Sequence, residues 1–289
     1  MILVTGGLGL IGSAVVEELS KIDRNYKIID LPEHNIIYHK ECEEIFSKYR
    51  PTEVIHCAAI SHIPDAIGNP QKAFEVNVVG TWNLLQAARD YKVDKFILVS
   101  STSTYGDFEG NVVTEEYPLS PKNYYGSTKA CCEFLARSYY STFKVPTCVV
   151  KTSSVYGPGE KHPRVVKNFV ERALKHETLK VEGGVQRRAF TYVKDVVNGI
   201  MLALLSDKSV GEVFNITGDA EHSIVELAEV VNSFLPCGIH ITGNRSDDLK
   251  RGRVSCQKAY DILGYRAEYS LESGIKEYIE WIKQLSSTE

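Results

Sequence analysis

The stretch Val4-Thr5-Gly6-Gly7-Leu8-Gly9-Leu10-Ile11-Gly12 constrains this chain more than any other part of it. It follows an apolar run, Ile2 to Thr5, and opens a helical pattern from Leu10, so its glycines fall where a strand turns into a helix. Without a Cβ the backbone turns tightly and approaches a pyrophosphate closely, and the first amides of the helix then face the phosphate charge. A second apolar run, Tyr26 to Asp30, ends in a carboxylate about 20 residues beyond the glycines. A carboxylate there accepts hydrogen bonds from a ribose 2′-hydroxyl and repels a 2′-phosphate, so the spacing predicts NAD rather than NADP. Gly6, Gly9, Leu10, Ile11, Gly12 and Asp30 are the first candidate cofactor residues. Leu31, Asn35 and Ile36 are expected beside the adenine, because Leu31-Pro32-Glu33-His34 leads almost directly to Asn35-Ile36. So short a connection puts the usual third strand at that edge in doubt.

Strand-like runs recur at Glu53 to Cys57, Lys95 to Ser100 and Pro146 to Lys151, with helical patterns from Lys40, Gln71 and Tyr124 between them. Strands alternating with helices predict an α/β fold, a doubly wound parallel sheet of Rossmann type, with ligands at the carboxyl ends of the strands. Residues 1–155 are expected to form this dinucleotide-binding domain. Residues 156–289 are expected to be mainly a smaller substrate-binding region, with 190–217 returning to the main sheet.

Composition narrows the partners. A formal net charge of −4 over 289 residues offers no broad basic field for a phosphate backbone, so nucleic acid is not expected as a partner. No apolar run is long enough to span a bilayer, and an apolar strand already begins at position 2, so no membrane partner and a cytosolic location are expected. Seven cysteines occur without a C-x-x-C pair and eight histidines without H-E-x-x-H spacing, so neither a disulfide framework nor a metal site is predicted. His62 and His162 read as solvated loop histidines, although either imidazole is a possible second acid or base.

The chemistry resides in Tyr125-Gly126-Ser127-Thr128-Lys129, where Lys129 stands one helical turn beyond Tyr125 on the same face. A free phenol is a poor base at neutral pH, and an adjacent ammonium favours its ionised form. Such a phenol removes a proton from a substrate hydroxyl as hydride leaves the attached carbon, and returns it in the reverse step. Ser101 follows the run Phe96 to Ser100 and should place its hydroxyl on the same substrate oxygen. Taken singly, a Tyr and Lys one turn apart are an ordinary surface pair, and serines after a strand are ordinary caps. Behind the glycine loop, and in this order, they predict one proton relay.

Further segments complete the pattern: His56-Cys57-Ala58-Ala59, Asn69-Pro70 with Asn77-Val78-Val79-Gly80-Thr81, Ser100-Ser101 with Tyr105-Gly106, and Val155-Tyr156-Gly157-Pro158-Gly159. With them the chain resembles the extended short-chain dehydrogenase/reductases along nearly its whole length. The resemblance is to their nucleotide-sugar epimerase/dehydratase group, typified by UDP-glucose 4-epimerase. It implies that Ser101, Tyr125 and Lys129 form a catalytic triad and that Ala58, Ala59, Asn77 and Val99 line the cofactor groove. For the substrate it implies contacts from Thr102 and Ser154, with Arg188, Arg245 and Asp248 at the diphosphate and nucleoside ribose. Dehydratases and decarboxylases of the group carry an acidic residue shortly before the Tyr-Gly dipeptide, where this chain has Thr102 and Ser103. Asparagine is common in the group at position 154, arginine at 151 and aspartate at 189; this chain has Ser154, Lys151 and Ala189.

The expected activity is that of an NAD-dependent nucleotide-sugar epimerase, a 4-epimerase acting through a transient 4-keto sugar on a UDP-hexose-like substrate. The alternatives are an NAD(P)-dependent 4-ketoreductase or dehydratase, and, in another class, an NAD-responsive regulatory protein. Apolar stripes on helices 71–91 and 124–143 resemble those through which relatives pair, which implies a homodimer.

Overall fold

A computed structural model describes residues 1–108, 110, 112–243 and 252–286. Six parallel strands make the central sheet: β1 (Ile2–Thr5), β2 (Tyr26–Ile29), β3 (Glu53–His56), β4 (Lys95–Ser101), β5 (Thr147–Thr152) and β6 (Val213–Ile216). Their spatial order is β6-β5-β4-β3-β1-β2. Ile2 is in register with both Tyr26 and Glu53, so β1 sits between β2 and β3. The chain moves outward from β1 to β2, crosses to β3 on the other side, and continues through β4 to β5. The strand order reverses at β1, and the helices on the two sides diverge there to leave a crevice at the carboxyl ends of the strands.

Helices cover both faces of the sheet, which is why β1, β4, β5 and β6 are buried along their whole length and read as continuous apolar runs. On one face α1 (Leu10–Lys21) and α8 (Val193–Leu205) close a core that includes Val4, Val15, Ile97, Val150, Ile200 and Phe214. On the other, α2 (His39–Tyr49), α5 (Gly80–Asp90) and α6 (Tyr124–Phe143) pack Ile45, Phe46, Leu84, Leu98, Cys132 and Val149 together. Two short helices, α3 (Ile63–Gly68) and α4 (Pro70–Phe74), lead into α5. Strand β6 pairs with β5 after 60 intervening residues, so a late segment completes the main sheet. At the opposite edge the sheet ends at β2, and among the described residues no third strand lies outside it.

A separate apolar cluster joins α7 (Val165–Leu174), α9 (Ile224–Phe234) and α11 (Leu271–Ser286), with Phe169, Leu227 and Ile275 at its centre. Its two-stranded sheet pairs Leu179–Glu182 in parallel with Ile239–Thr242. The short helix α10 (Gln257–Leu263) packs under β6. Ser223 and Glu226 start α9 with a reciprocal capping box: Ser223 Oγ accepts from the Glu226 amide at 3.0 Å and Glu226 Oε2 from the Ser223 amide at 2.6 Å. Phe74, Trp82, Phe134 and Phe143 on α4, α5 and α6 are exposed.

Candidate active site

A cleft of about 1450 Å³ runs over the carboxyl ends of β1 to β5. At its floor the glycine turn is shaped by contact. Gly6 has φ +69°, and a Cβ on it would lie 2.6 Å from the Ala58 backbone; a Cβ on Gly12 would lie 2.1 Å from the Gly6 carbonyl oxygen. Only glycine lets β1, the loop after β3 and the first turn of α1 close together here. Gly9 caps α1 without any side-chain hydrogen bond, and no acidic residue stands in the first turn. The amides of Leu10, Ile11 and Gly12 therefore present the positive end of the helix to the cleft, a setting suited to a pyrophosphate.

Asp30 follows β2, and its carboxylate is fixed from both sides: Oδ2 accepts from the Leu8 amide and Oδ1 from the Leu31 amide, each at 2.8 Å. Each oxygen keeps a lone pair for a ribose hydroxyl. Leu31, Asn35 and Ile36 line the same end of the cleft. Asn83 on α5 holds the Ile36 and Ile37 carbonyls at 2.9 and 3.0 Å, so this rim is anchored to a helix of the core. Ala58, Ala59 and Val99 form the middle of the wall.

Asn77 supports the groove from beneath the loop that lines it. It is buried and absent from the cleft wall, because a π-helical turn, Glu75–Val79, sits between α4 and α5 and turns its side chain inward. There Asn77 Oδ1 accepts from the Ile60 amide at 2.7 Å, while Nδ2 donates to the Ile60 carbonyl at 3.2 Å and to Thr128 Oγ1 at 2.9 Å. It ties the loop after β3 to α6 from behind.

Beneath this loop His56 is fully buried between two threonines, with Nδ1 2.7 Å from Thr5 Oγ1 and Nε2 2.8 Å from Thr81 Oγ1. Thr81 Oγ1 donates to the Asn77 carbonyl, so it accepts from His56 Nε2, and Thr5 donates to Nδ1. Burial, reinforced by the Lys129 charge, lowers the His56 pKa from 6.5 to about 3. As pH falls from 6.5 toward 3, the unfolded chain takes up a proton at this position that the folded chain refuses, so stability falls across that window; above it His56 adds no pH dependence. In His56→Gln this part of the acid dependence disappears. Unfolding free energy measured against pH should show the shallower slope, and an unchanged slope would contradict the neutral assignment.

At the reacting end, Asn123 caps α6 by accepting from the Gly126 amide at 2.8 Å. A Cβ on Gly126 would lie 2.6 Å from the Ser103 carbonyl oxygen, so glycine between Tyr125 and Ser127 lets α6 press against the turn that follows β4. That contact brings Ser101, Tyr125 and Lys129 to one stretch of the cleft wall. Ser101 Oγ accepts from the Ser103 amide at 3.1 Å, which leaves its own proton to donate to a ligand oxygen. Lys129 is buried, and no carboxylate among the described residues pairs with its ammonium. The cleft wall thus carries a hydroxyl donor, a phenol and a buried cation.

Thr102 and Ser154 also line the cleft. Ser154 has φ +40°, the left-handed region that asparagine tolerates better than most residues, which gives a physical reason for asparagine being common at this position in the group. Arg188 reaches the far end from a short strand, Arg187–Arg188, paired antiparallel with His222–Ser223. Arg245 and Asp248 lie outside the described residues. Sequence reasoning missed the loop ahead of α7: Arg164 Nη2 donates to Ser61 Oγ at 2.9 Å, linking the two sides of the cleft. Its lone arginine carries no local motif.

The NAD dependent epimerase/dehydratase family model matches residues 2–217. The chain belongs to this family. It is 29% identical to the dTDP-glucose 4,6-dehydratase of Neisseria meningitidis serogroup B, over 97% of this chain and 92% of that protein. Among solved structures it is similar to the UDP-glucose 4-epimerase of Thermus thermophilus in complex with NAD (28% identity, TM-score 0.89, 98% of each chain). It is likewise similar to the dTDP-glucose 4,6-dehydratase DesIV of Streptomyces venezuelae with NAD and TYD bound (26% identity, TM-score 0.91, 99% of this chain and 98% of that one). The chain is thus an enzyme of an NAD-dependent family, its structural neighbours include complexes with nucleotide sugars, and its relatives include both epimerases and dehydratases. The uncapped α1 terminus, the glycine turn and the fixed Asp30 carboxylate fit NAD.

Proposed function

We propose that this protein is an NAD-dependent nucleotide-sugar 4-epimerase, acting on a nucleoside-diphosphate hexose of the UDP-hexose kind. The observation that carries the reading is the composition of the turn after β4. Ser101, Tyr125 and Lys129 line the same cleft as this turn, where Thr102 and Ser103 are hydroxyls at positions at which dehydratases of the group carry acids. Elimination of the sugar's 6-hydroxyl needs an acid/base that these hydroxyls do not supply at neutral pH. Oxidation and reduction at C4 need only the groups present.

In this reading Gly9, Leu10, Ile11 and Gly12 hold the pyrophosphate of NAD and Asp30 the adenosine ribose, while Lys129 orients the nicotinamide ribose beside Tyr125. When bound, NAD accepts a hydride from C4 of the sugar and later returns it. Tyr125 Oη takes the proton of the 4-hydroxyl as the C4–H bond breaks, leaving a 4-keto sugar, and gives the proton back as the carbonyl is reduced on the opposite face. Ser101 Oγ donates to the same oxygen and Lys129 stabilises the phenolate. Arg188, a planar cation with a donor fork, suits the diphosphate.

The test is incubation of the purified protein with a UDP-hexose and catalytic NAD. The expected product is a mixture of the two 4-epimers with no net consumption of NADH. Stoichiometric oxidation of added NADH would indicate a ketoreductase instead, and a 4-keto-6-deoxy product a dehydratase.

A further inference from the structure

Two loops meet across the cleft in an arrangement that the proposed reaction does not use. Ser61 and His62 lie between β3 and α3, and Glu160, His162 and Arg164 lie ahead of α7. Arg164 joins the loops, donating to Ser61 Oγ at 2.9 Å and pairing with Glu160 Oε2 at 3.3 Å. Beside this link the rings of His62 and His162 stack, with centroids 5.0 Å apart and an interplanar angle of 18°. Both turn Nδ1 toward one carboxylate: His62 Nδ1 is 3.0 Å from Asp65 Oδ1, and His162 Nδ1 is 3.6 Å from Asp65 Oδ2. One ligand atom from each of the three residues lies within 4.8 Å of the others.

His62 Nδ1 is buried and faces the half-exposed Asp65 carboxylate. Zn–N and Zn–O bonds of about 2.0–2.1 Å in a tetrahedron place ligand atoms roughly 3.3 Å apart, close to the 3.0 Å between His62 Nδ1 and Asp65 Oδ1.

We propose that His62, Asp65 and His162 bind a divalent first-row transition-metal ion of the Zn²⁺ type, which ties the loop after β3 to the loop ahead of α7. Two imidazole nitrogens and one carboxylate oxygen suit such an ion and leave a fourth position open to water or a ligand oxygen. His62 and Asp65 are three residues apart, but His162 is distant in the chain, so no sequence spacing reveals the set. The ion would fasten the rim of the cleft independently of which reaction the cleft performs.

The full chain, stripped with a chelator, is titrated with Co²⁺ as a visible-absorbing probe and then with Zn²⁺. The expected result is one Co²⁺ per chain with the absorption bands of a low-coordinate site, displaced by Zn²⁺. His162→Gln should weaken binding by about tenfold or more, since even partners outside the ligand shell change metal affinity by 10–100-fold. NAD binding by that variant should be unchanged, which shows that it is folded. His39→Gln, which removes the surface pair His39–Glu43 on α2, should leave metal binding as it was. Absence of saturable one-to-one binding, or equal affinity in the parent and His162→Gln, would overturn the proposal.

Discussion

Tyr125→Phe is expected to lower turnover on the order of 10²-fold or more while NAD still binds, as for removal of a general acid/base. The substitution deletes one oxygen at the cleft wall and leaves the ring, the helix and its cap in place. Gly126 still lets α6 approach the turn after β4, and Asn123 still caps it. Apart from Lys129, the cofactor residues lie on other elements: the glycine turn, Asp30 and the rim at Ile36 are held by β1, β2 and α5. Loss of chemistry should therefore separate cleanly from loss of binding. Turnover assays and NAD titration on the same preparation read the two. Retained turnover would remove Tyr125 from the reaction, and lost NAD binding would mean that the change disturbs the fold.

Glu133→Gln is expected to destabilise the fold by about 3–5 kcal/mol, because it leaves a buried ammonium without its counter-charge. Lys151 on β5 and Glu133 on α6 are each 1% exposed and pair at 3.0 Å. Ser100 donates to the other Glu133 oxygen at 2.5 Å; Lys151 donates to Thr104 Oγ1 at 3.2 Å and lies over the Tyr105 ring at 3.8 Å. Burial lowers the Lys151 pKa and Glu133 pulls it back up, so the ammonium depends on its partner. The double variant Glu133→Leu/Lys151→Met removes both charges together and should recover much of the loss, since apolar replacement of a buried pair is often neutral or stabilising. Chemical denaturation of the three proteins tests this. A Glu133→Gln protein as stable as the parent would mean that water or another group satisfies the lysine.

The network also shows what the order of residues conveys about function. Tyr125, Lys129 and Glu133 recur at helical spacing on one side of α6. Tyr125 and Lys129 reach the cleft, while Glu133 is spent on Lys151 behind it. The spacing made the first two legible. Nothing in it distinguished the third, whose partner comes from a strand added later in the chain.

The central strands and the glycine turn were readable because each signal is local: an apolar run, then glycines where a Cβ would strike the neighbouring backbone. Asp30 was readable for the same reason, standing at the end of its strand. Asn77 was expected at the groove from the resemblance alone; that it ties Ile60 to Thr128 from a π-helical turn is a tertiary feature without a local signal. Arg164 and His162 were not legible as partners of Ser61, His62 and Asp65, because that meeting is produced by tertiary structure. Lys151 read as a departure from arginine; the buried Glu133 carboxylate beside it explains why a cation stands there at all.

The most direct test of the central claim follows the hydrogen on C4 of the sugar. A nucleotide hexose labelled with deuterium at C4 is incubated with the purified protein until both epimers are present, and the label is located by mass spectrometry. Hydride transfer within one closed site, with Tyr125 moving only the hydroxyl proton, predicts that deuterium remains at C4 in both epimers. Replacement of that deuterium by solvent hydrogen would contradict the account.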